Sequence, residues 1–253
     1  MNLSAVSIGL PGATPHDTIR ELAPQLEALG FRTLWLNDTQ GGDSLAGLAV
    51  AGAVTTSLRL ATGVIPLDRR PASEIAARLG DLPIDRLTIG IGSGGPHDAL
   101  RRVAEGLDVL GTRTQVLVGA LGPKMRLLGA QRADGILLNW LTPATAAEAM
   151  ADLRRDAAGR WVRGVLYART IVEPAALPAL QAEAAGYQRS GSYAANFARL
   201  GITAIESTID GTTGLADSVA QYTKSVDELV LRAVTGATTL ESYQRFIGAV
   251  AAG

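Results

Sequence analysis

The chain has 253 residues, 47% of them apolar and 19% charged, with a net charge of −1 and no cysteine. That length can bury a full core without disulfides or metal staples, and the missing cysteine excludes a thiolate nucleophile and Cys-based zinc or iron–sulfur sites. Near-neutral charge and an aromatic content of 4% argue against nucleic acid, and two histidines, His16 and His97, are too few for a multi-histidine metal centre.

Short β-rich runs alternate with helical stretches along the whole chain. Residues 3–9 (LSAVSIG) read as a strand, followed by a helix over 14–29 that Gly30 is placed to end. The second strand, 32–37 (RTLWLN), leads to a helix near 43–55, and the third, 59–66, to a helix over 71–79. The fourth strand, 86–92 (RLTIGIG), precedes a helix over 97–110, and the fifth, 115–120 (QVLVGA), a helix over 123–132 with proline in its first turn. The sixth, 135–140 (GILLNW), is followed by a helix at 143–158, and the seventh, 161–172, by helices at 175–187 and 193–200. A short apolar piece, 202–209, and a helix at 215–222 come before the eighth strand, 228–234, and the last helix, 240–252.

Eight such units in this length predict a (β/α)8 TIM barrel, with residues 1–253 forming one domain. An open doubly wound sheet is the rival arrangement. No apolar run is long enough to span a membrane and Met1 leads into no signal-peptide pattern, so a cytoplasmic protein is expected.

A barrel of this kind binds ligands where its strands end. Gly90-Ile91-Gly92-Ser93-Gly94-Gly95 fits G-x-G-x-x-G between a strand and a helix. The dinucleotide reading requires a carboxylate closing the next strand, and that strand ends in Gly119-Ala120-Leu121-Gly122 instead. Two readings stay open: a plain glycine turn, or backbone N–H groups cradling a phosphate at a helix N-terminus. Gly122-Pro123-Lys124 offers a second such turn, with Lys124 either solvated or held for an anion.

Asp38, at the end of the second strand, either caps the following segment or acts in the site. His97 is either a surface helix residue or a catalytic one, and His16 is structural. A serine hydrolase lacks its G-x-S-x-G. Asp38, Glu173 and Glu206 near strand ends leave paired-carboxylate glycoside chemistry open, with no spacing that points to it.

Five segments taken in order carry a family resemblance: LEALGFRTLWLND (26–38), TSLRLATGVIPLDRRP (56–71), DRLTIGIGSGG (85–95), GALGPKMRLLGAQRADGILLNWLTP (119–143) and SVDELVLRAV (225–234). Together they resemble the luciferase-like monooxygenase superfamily, and within it the coenzyme F420-dependent oxidoreductases of actinobacteria and methanogens. The resemblance implies a (β/α)8 barrel with F420 or FMN across the mouth, and a homodimer. It implies that Asp38 lies near the ring system and that a bulge at Gly63-Val64, often with a cis peptide, backs the central ring. It also implies that Ser93, Gly94, Leu121 and Gly122 grip the phosphate through backbone N–H groups, with Asn139 and Trp140 beside the cofactor.

The expected activity is hydride transfer between F420 and a small organic substrate, with Asp38 supplying or orienting a proton and His97 as a more remote candidate. No metal is expected. Arginine supplies nearly all positive charge, lysine occurring only as Lys124 and Lys224, a GC-rich usage that favours F420 over FMN. An FMN-dependent monooxygenase or reductase is the second reading, and a non-catalytic flavin- or deazaflavin-binding paralogue the third. The third stays open because family members acting on sugar phosphates carry a His after the strand-two Asp and a Glu after the strand-four turn. Here Thr39, Gly95 and Pro96 occupy those regions. Only about 20 residues separate the fourth and fifth strands, so almost nothing is expected to be left for a lid.

Overall fold

The computed structural model describes residues 3–39 and 41–253. Its strands are β1 (Val6–Pro11), β2 (Thr33–Asn37), β3 (Arg59–Thr62), β4 (Ile65–Pro66), β5 (Leu87–Gly92), β6 (Gln115–Gly119), β7 (Gly135–Asn139), β8 (Arg163–Ile171), β9 (Ile209–Asp210) and β10 (Glu228–Ala233). All pairings are parallel in the order β1-β2-β3-β5-β6-β7-β8, and β10 closes the circle by pairing with both β8 and β1. β3 and β4 are one stave broken at Gly63-Val64, so the barrel has eight staves, as the sequence rhythm predicts. The structure is a (β/α)8 barrel. Residues 3–5 form a 3-10 turn rather than the start of the first strand.

Each stave is buried on both faces, which is why the strands read as near-continuous apolar runs; every residue of β5 is buried. The inner faces of β2, β6, β7, β8 and β10 supply Trp35, Leu117, Leu137, Val165, Tyr167 and Val230, which fill the barrel. Trp35 and Tyr167 meet edge to face at 6.2 Å. Helices pack outside by the usual stripe: α1 (His16–Leu29) buries Ile19, Leu22, Ala23 and Leu26, spaced to fall on one face.

The helices that border the mouth are α2 (Ser44–Ala53), α3 (Ala72–Arg78), α4 (Ala99–Leu110), α5 (Pro123–Arg132) and α6 (Pro143–Asp156), followed by α7 (Leu177–Gln188) and α8 (Gly191–Leu200). After these come α9 (Leu215–Thr223) and α10 (Leu240–Ala252). α7 and α8 correct the expectation that no lid remains. Between β8 and β9 they fold back over the mouth, where Ala184 and Phe197 form a small core with Trp140 and Ala204. Both helices were legible in the sequence, but their docking depends on Trp140, whose φ of 56° turns its ring into that core. Among the described residues no helix is long and apolar enough to cross a membrane.

Candidate active site at the barrel mouth

Two adjoining cavities open where the staves end. The first, about 340 Å³, is lined by glycines and apolar groups from β3–β7 (Gly63, Val64, Gly92, Gly119, Leu137), with Asn139, Tyr167 and Tyr193 on its far side. The second, about 650 Å³, shares Ser93, Gly94, Gly119, Leu121 and Ser192 with the first and extends between α4, α5 and α8. Six of the sequence-predicted residues therefore meet in the first cavity: Gly63, Val64, Ser93, Gly94, Leu121 and Asn139. Gly122 joins at the second.

The floor of the first cavity requires close backbone approach. The Gly63–Val64 peptide bond is cis, at the position where the resemblance implies one. A Cβ on Gly63 would lie 3.0 Å from both the Trp35 and Tyr167 rings, so any larger residue would press on the barrel's interior packing. Burial pushes the Tyr167 phenol well above its usual range, and its hydroxyl has no hydrogen-bond partner among the described residues.

Asp38 lines neither cavity. Its carboxylate accepts the Ser44 N–H at 3.1 Å, at the start of α2, and lies 3.7 Å from Arg70. Its backbone N–H donates to Val64 O at 3.4 Å, and its carbonyl accepts from Arg69. Asp38 thus pins the end of β2 to the bulge. His97 is exposed on the turn into α4 and lines neither cavity, although its neighbour Pro96 borders the second. Trp140 is buried behind the mouth rather than in it. Arg169 covers its ring at 3.9 Å, donates to Asn139 Oδ1, and pairs with Glu183 of α7 at 2.9 Å. Burial raises the Glu183 pKa, but Arg232 and Arg169 outweigh it and hold the carboxyl below the usual range.

The second cavity gathers hydrogen-bond donors and helix N-termini. The first residues of α4, α5 and α8 border it: Ala99 directly, α5 through Gly122, and α8 through Ser190, Gly191 and Ser192. Neither Gly122 nor Ser190 caps its helix with a side-chain hydrogen bond. The N–H groups of Ser93, Gly94, Leu121 and Gly122 likewise donate to no acceptor among the described residues. Asn196 is 6% exposed; its Oδ1 accepts from Arg199 at 2.7 Å, while its Nδ2 is buried with no partner.

Arg199 borders the cavity and Arg126 is buried beneath it, and neither pairs with a carboxylate among the described residues. Burial, and then the nearby charge of Arg199, lower the Arg126 pKa. Negative charge stands nearby as well: Asp152 acts on Arg126 from the other direction, and Asp68 accepts the Gly95 N–H at 2.8 Å. Lys124, the cation the sequence offered, is exposed and lines neither cavity. Sequence reasoning missed Arg126, Asn196 and Arg199, although Arg126 lies two residues from the lysine it weighed.

Comparison with known proteins adds a partial family match and a fold. Residues 3–114, less than half of the chain, match the model of the luciferase-like monooxygenase family. A protein of Mycobacterium tuberculosis named "putative coenzyme F420-dependent oxidoreductase" is 32% identical over 97 residues, 36% of this chain and 27% of its own length. The match therefore spans about a quarter of that relative.

Among solved structures, the F420-dependent tetrahydromethanopterin reductase from Methanopyrus kandleri superposes with a TM-score of 0.73 at 16% identity, covering 98% of this chain and 97% of its own. The oxygenating constituent of 3,6-diketocamphane monooxygenase from Pseudomonas putida, in complex with FMN, gives a TM-score of 0.59 at 13% identity over 90% and 91% of the two chains. At these identities the superpositions speak to the fold alone.

Proposed function

We propose that the chain is an oxidoreductase that holds coenzyme F420, or FMN in its place, across the mouth of the barrel. One observation carries this reading: an apolar, glycine-floored cavity adjoins a second that gathers three helix N-termini, Arg199 and the unpartnered amide of Asn196. A flat ring with a phosphate-bearing tail has that division of chemistry, and the orphaned Nδ2 of Asn196 is a donor in want of an acceptor. Gly63, Val64, Leu137 and Asn139 would hold the ring, and Ser93, Gly94, Leu121, Gly122 and Asn196 the phosphate. When bound, such a cofactor exchanges a hydride with a small organic substrate.

The chain's own groups prepare that exchange. The cap formed by α7 and α8 narrows the mouth and excludes water. Arg169 fixes the Asn139 amide through its oxygen, which turns the amide's N–H side toward Tyr193 and the cavity. Asp38 acts as a positioning residue, since it reaches the cavity only through Val64. Tyr193 and Ser192 bring hydroxyls to the wall of the first cavity, where a substrate's oxygen would need a proton or a hydrogen bond. His97 stands at the rim as a group that substrate would meet on entry.

The reading carries with it a single-domain, cytoplasmic homodimer, whose stoichiometry light scattering would report. The deciding experiment is a titration of the purified protein with F420 and with FMN, following cofactor fluorescence. Binding of one of them at ~1–10 μM, about 7–8 kcal/mol, is expected. If neither binds, the oxidoreductase reading is wrong.

A further inference from the structure

The opposite end of the barrel, where the staves begin, holds a second concentration of positive charge that the mouth chemistry does not use. Arg32 precedes β2, Arg59 opens β3 and Arg163 opens β8; with Gln115, Leu117, Asp134 and Trp161 they line a cavity of about 280 Å³. The carboxylates facing it are Glu228 and Asp134, and both are already engaged. Glu228 is fully buried, accepts from Ser7 at 2.6 Å and Trp35 at 2.8 Å, and lies 3.3 Å from Arg32 and 3.7 Å from Arg163. Asp134 accepts the Val116 N–H at 2.8 Å.

Neutralising Glu228 accounts for at most two of the three arginines. The Arg59 side chain has no hydrogen bond or ion pair among the described residues, and Arg163 Nε is buried without a hydrogen-bond partner. Burial lowers the Arg163 pKa; Glu228 and Asp134 oppose that, while Arg32 and Arg59 add to it. Clustered cations with too few carboxylates are unfavourable unless an anion joins them.

The wall of the cavity supplies a second kind of contact. Trp161 is 73% exposed, by far the most exposed large apolar side chain described, and Arg154 stacks on its ring at 4.6 Å. The chain's other tryptophans, Trp35 and Trp140, are at most 1% exposed. A tryptophan left in water beside an arginine-lined cavity is the arrangement that binds a flat group carrying negative charge.

We propose that the N-terminal end of the barrel is a binding site for a small aromatic oxyanion, with its phosphate or carboxylate between Arg59 and Arg163 and its ring against Trp161. This site is separate from the mouth and independent of which cofactor the mouth holds.

Phenyl phosphate and inorganic phosphate are the probes, titrated by calorimetry into the full chain, with Arg59→Gln, Trp161→Ala and Arg199→Gln variants in parallel. Arg59 is exposed and unpaired and Trp161 is solvent-facing, so neither change should disturb folding. The expected result is sub-millimolar binding of phenyl phosphate, weaker by roughly tenfold in Arg59→Gln and in Trp161→Ala, with Arg199→Gln unaffected. Inorganic phosphate should bind more weakly and respond to Arg59→Gln but not to Trp161→Ala. Phenyl phosphate that binds equally well to Arg59→Gln overturns the proposal. So does binding lost only in Arg199→Gln, which would place the anion at the mouth, or no binding at ~10 mM.

Discussion

Arg169 lies with its guanidinium carbon 3.9 Å from the centre of the Trp140 ring, and the same group pairs with Glu183 of α7 at 2.9 Å. One side chain on β8 thereby ties the end of β7 to the cap. The stack and the ion pair are both largely shielded from water, Arg169 being 6% exposed. Arg169→Ala removes both and leaves Glu183 facing only Arg232, 3.7 Å away. A loss of about 3 kcal/mol, concentrated in the cap, is expected. Hydrogen exchange would show it as faster exchange across α7 and α8 with the barrel staves still protected. Equal protection of the cap in the variant would refute the role.

Gly94 is committed to its turn by conformation. Its φ is 74°, and a Cβ there would also push the Asp68 carboxylate aside. Gly94→Asp adds strain and a second negative charge beside the N–H groups of the turn. Cofactor affinity should fall by roughly two orders of magnitude, about 2.7 kcal/mol. Asp68→Asn removes charge from the same place and should tighten binding a few-fold. Fluorescence titration reads both, and unchanged affinity in Gly94→Asp removes this turn from the phosphate site.

The barrel was legible because its signal is local. Apolar runs bounded by glycine and proline repeat along the chain, and the α5 boundaries at residues 123 and 132 follow from Pro123 and from Asp134-Gly135 just beyond Arg132. The glycine turns were legible for the same reason, whereas the Gly63-Val64 bulge was expected only through the family resemblance. The anion end of the mouth was not. Asn196 and Arg199 sit on α8, about a hundred residues from Ser93 in sequence, and only the fold-back of the cap brings them together. Asp38 was ambiguous in a different way. A carboxylate at a strand end looks the same in sequence whether it faces the cavity or, as here, accepts the Ser44 N–H behind it.

Asn196 and Arg199 make the phosphate reading separable from the ring reading. Asn196→Ala deletes the unpartnered Nδ2 donor, and Arg199→Gln deletes the cation beside it. Each change should weaken FMN roughly tenfold, as loss of one hydrogen bond to a charged group does, and leave riboflavin, which lacks the phosphate, unaffected. The wild-type preference for FMN over riboflavin should also shrink as salt is raised. Equal losses for both ligands would mean that the two side chains support the cavity rather than contact phosphate.

Glu27 gives the barrel a defined acid sensitivity. From the last turns of α1 it accepts the N–H groups of Thr56 at 3.0 Å and Leu58 at 2.8 Å, together with the N–H and hydroxyl of Ser57, just before β3. What little burial it has pushes the carboxyl up, but the Ser57, Leu58 and Thr56 bonds outweigh it and hold the pKa at about 2. A carboxylate with a depressed folded pKa contributes its full share of stability above the unfolded value, near 4.5, and loses it as the pH falls toward 2. Because the group is near the surface, solvent screening keeps the contribution small. Glu27→Gln keeps the shape but loses the charge, so it should lower Tm at pH 7 by roughly 2–4 °C. The same variant should flatten the fall in Tm between pH 4.5 and pH 2, and thermal scans across that range would show the two curves converging at the acid end. Parallel curves for variant and wild type would mean that the Thr56–Leu58 turn is held by its neighbours and not by Glu27.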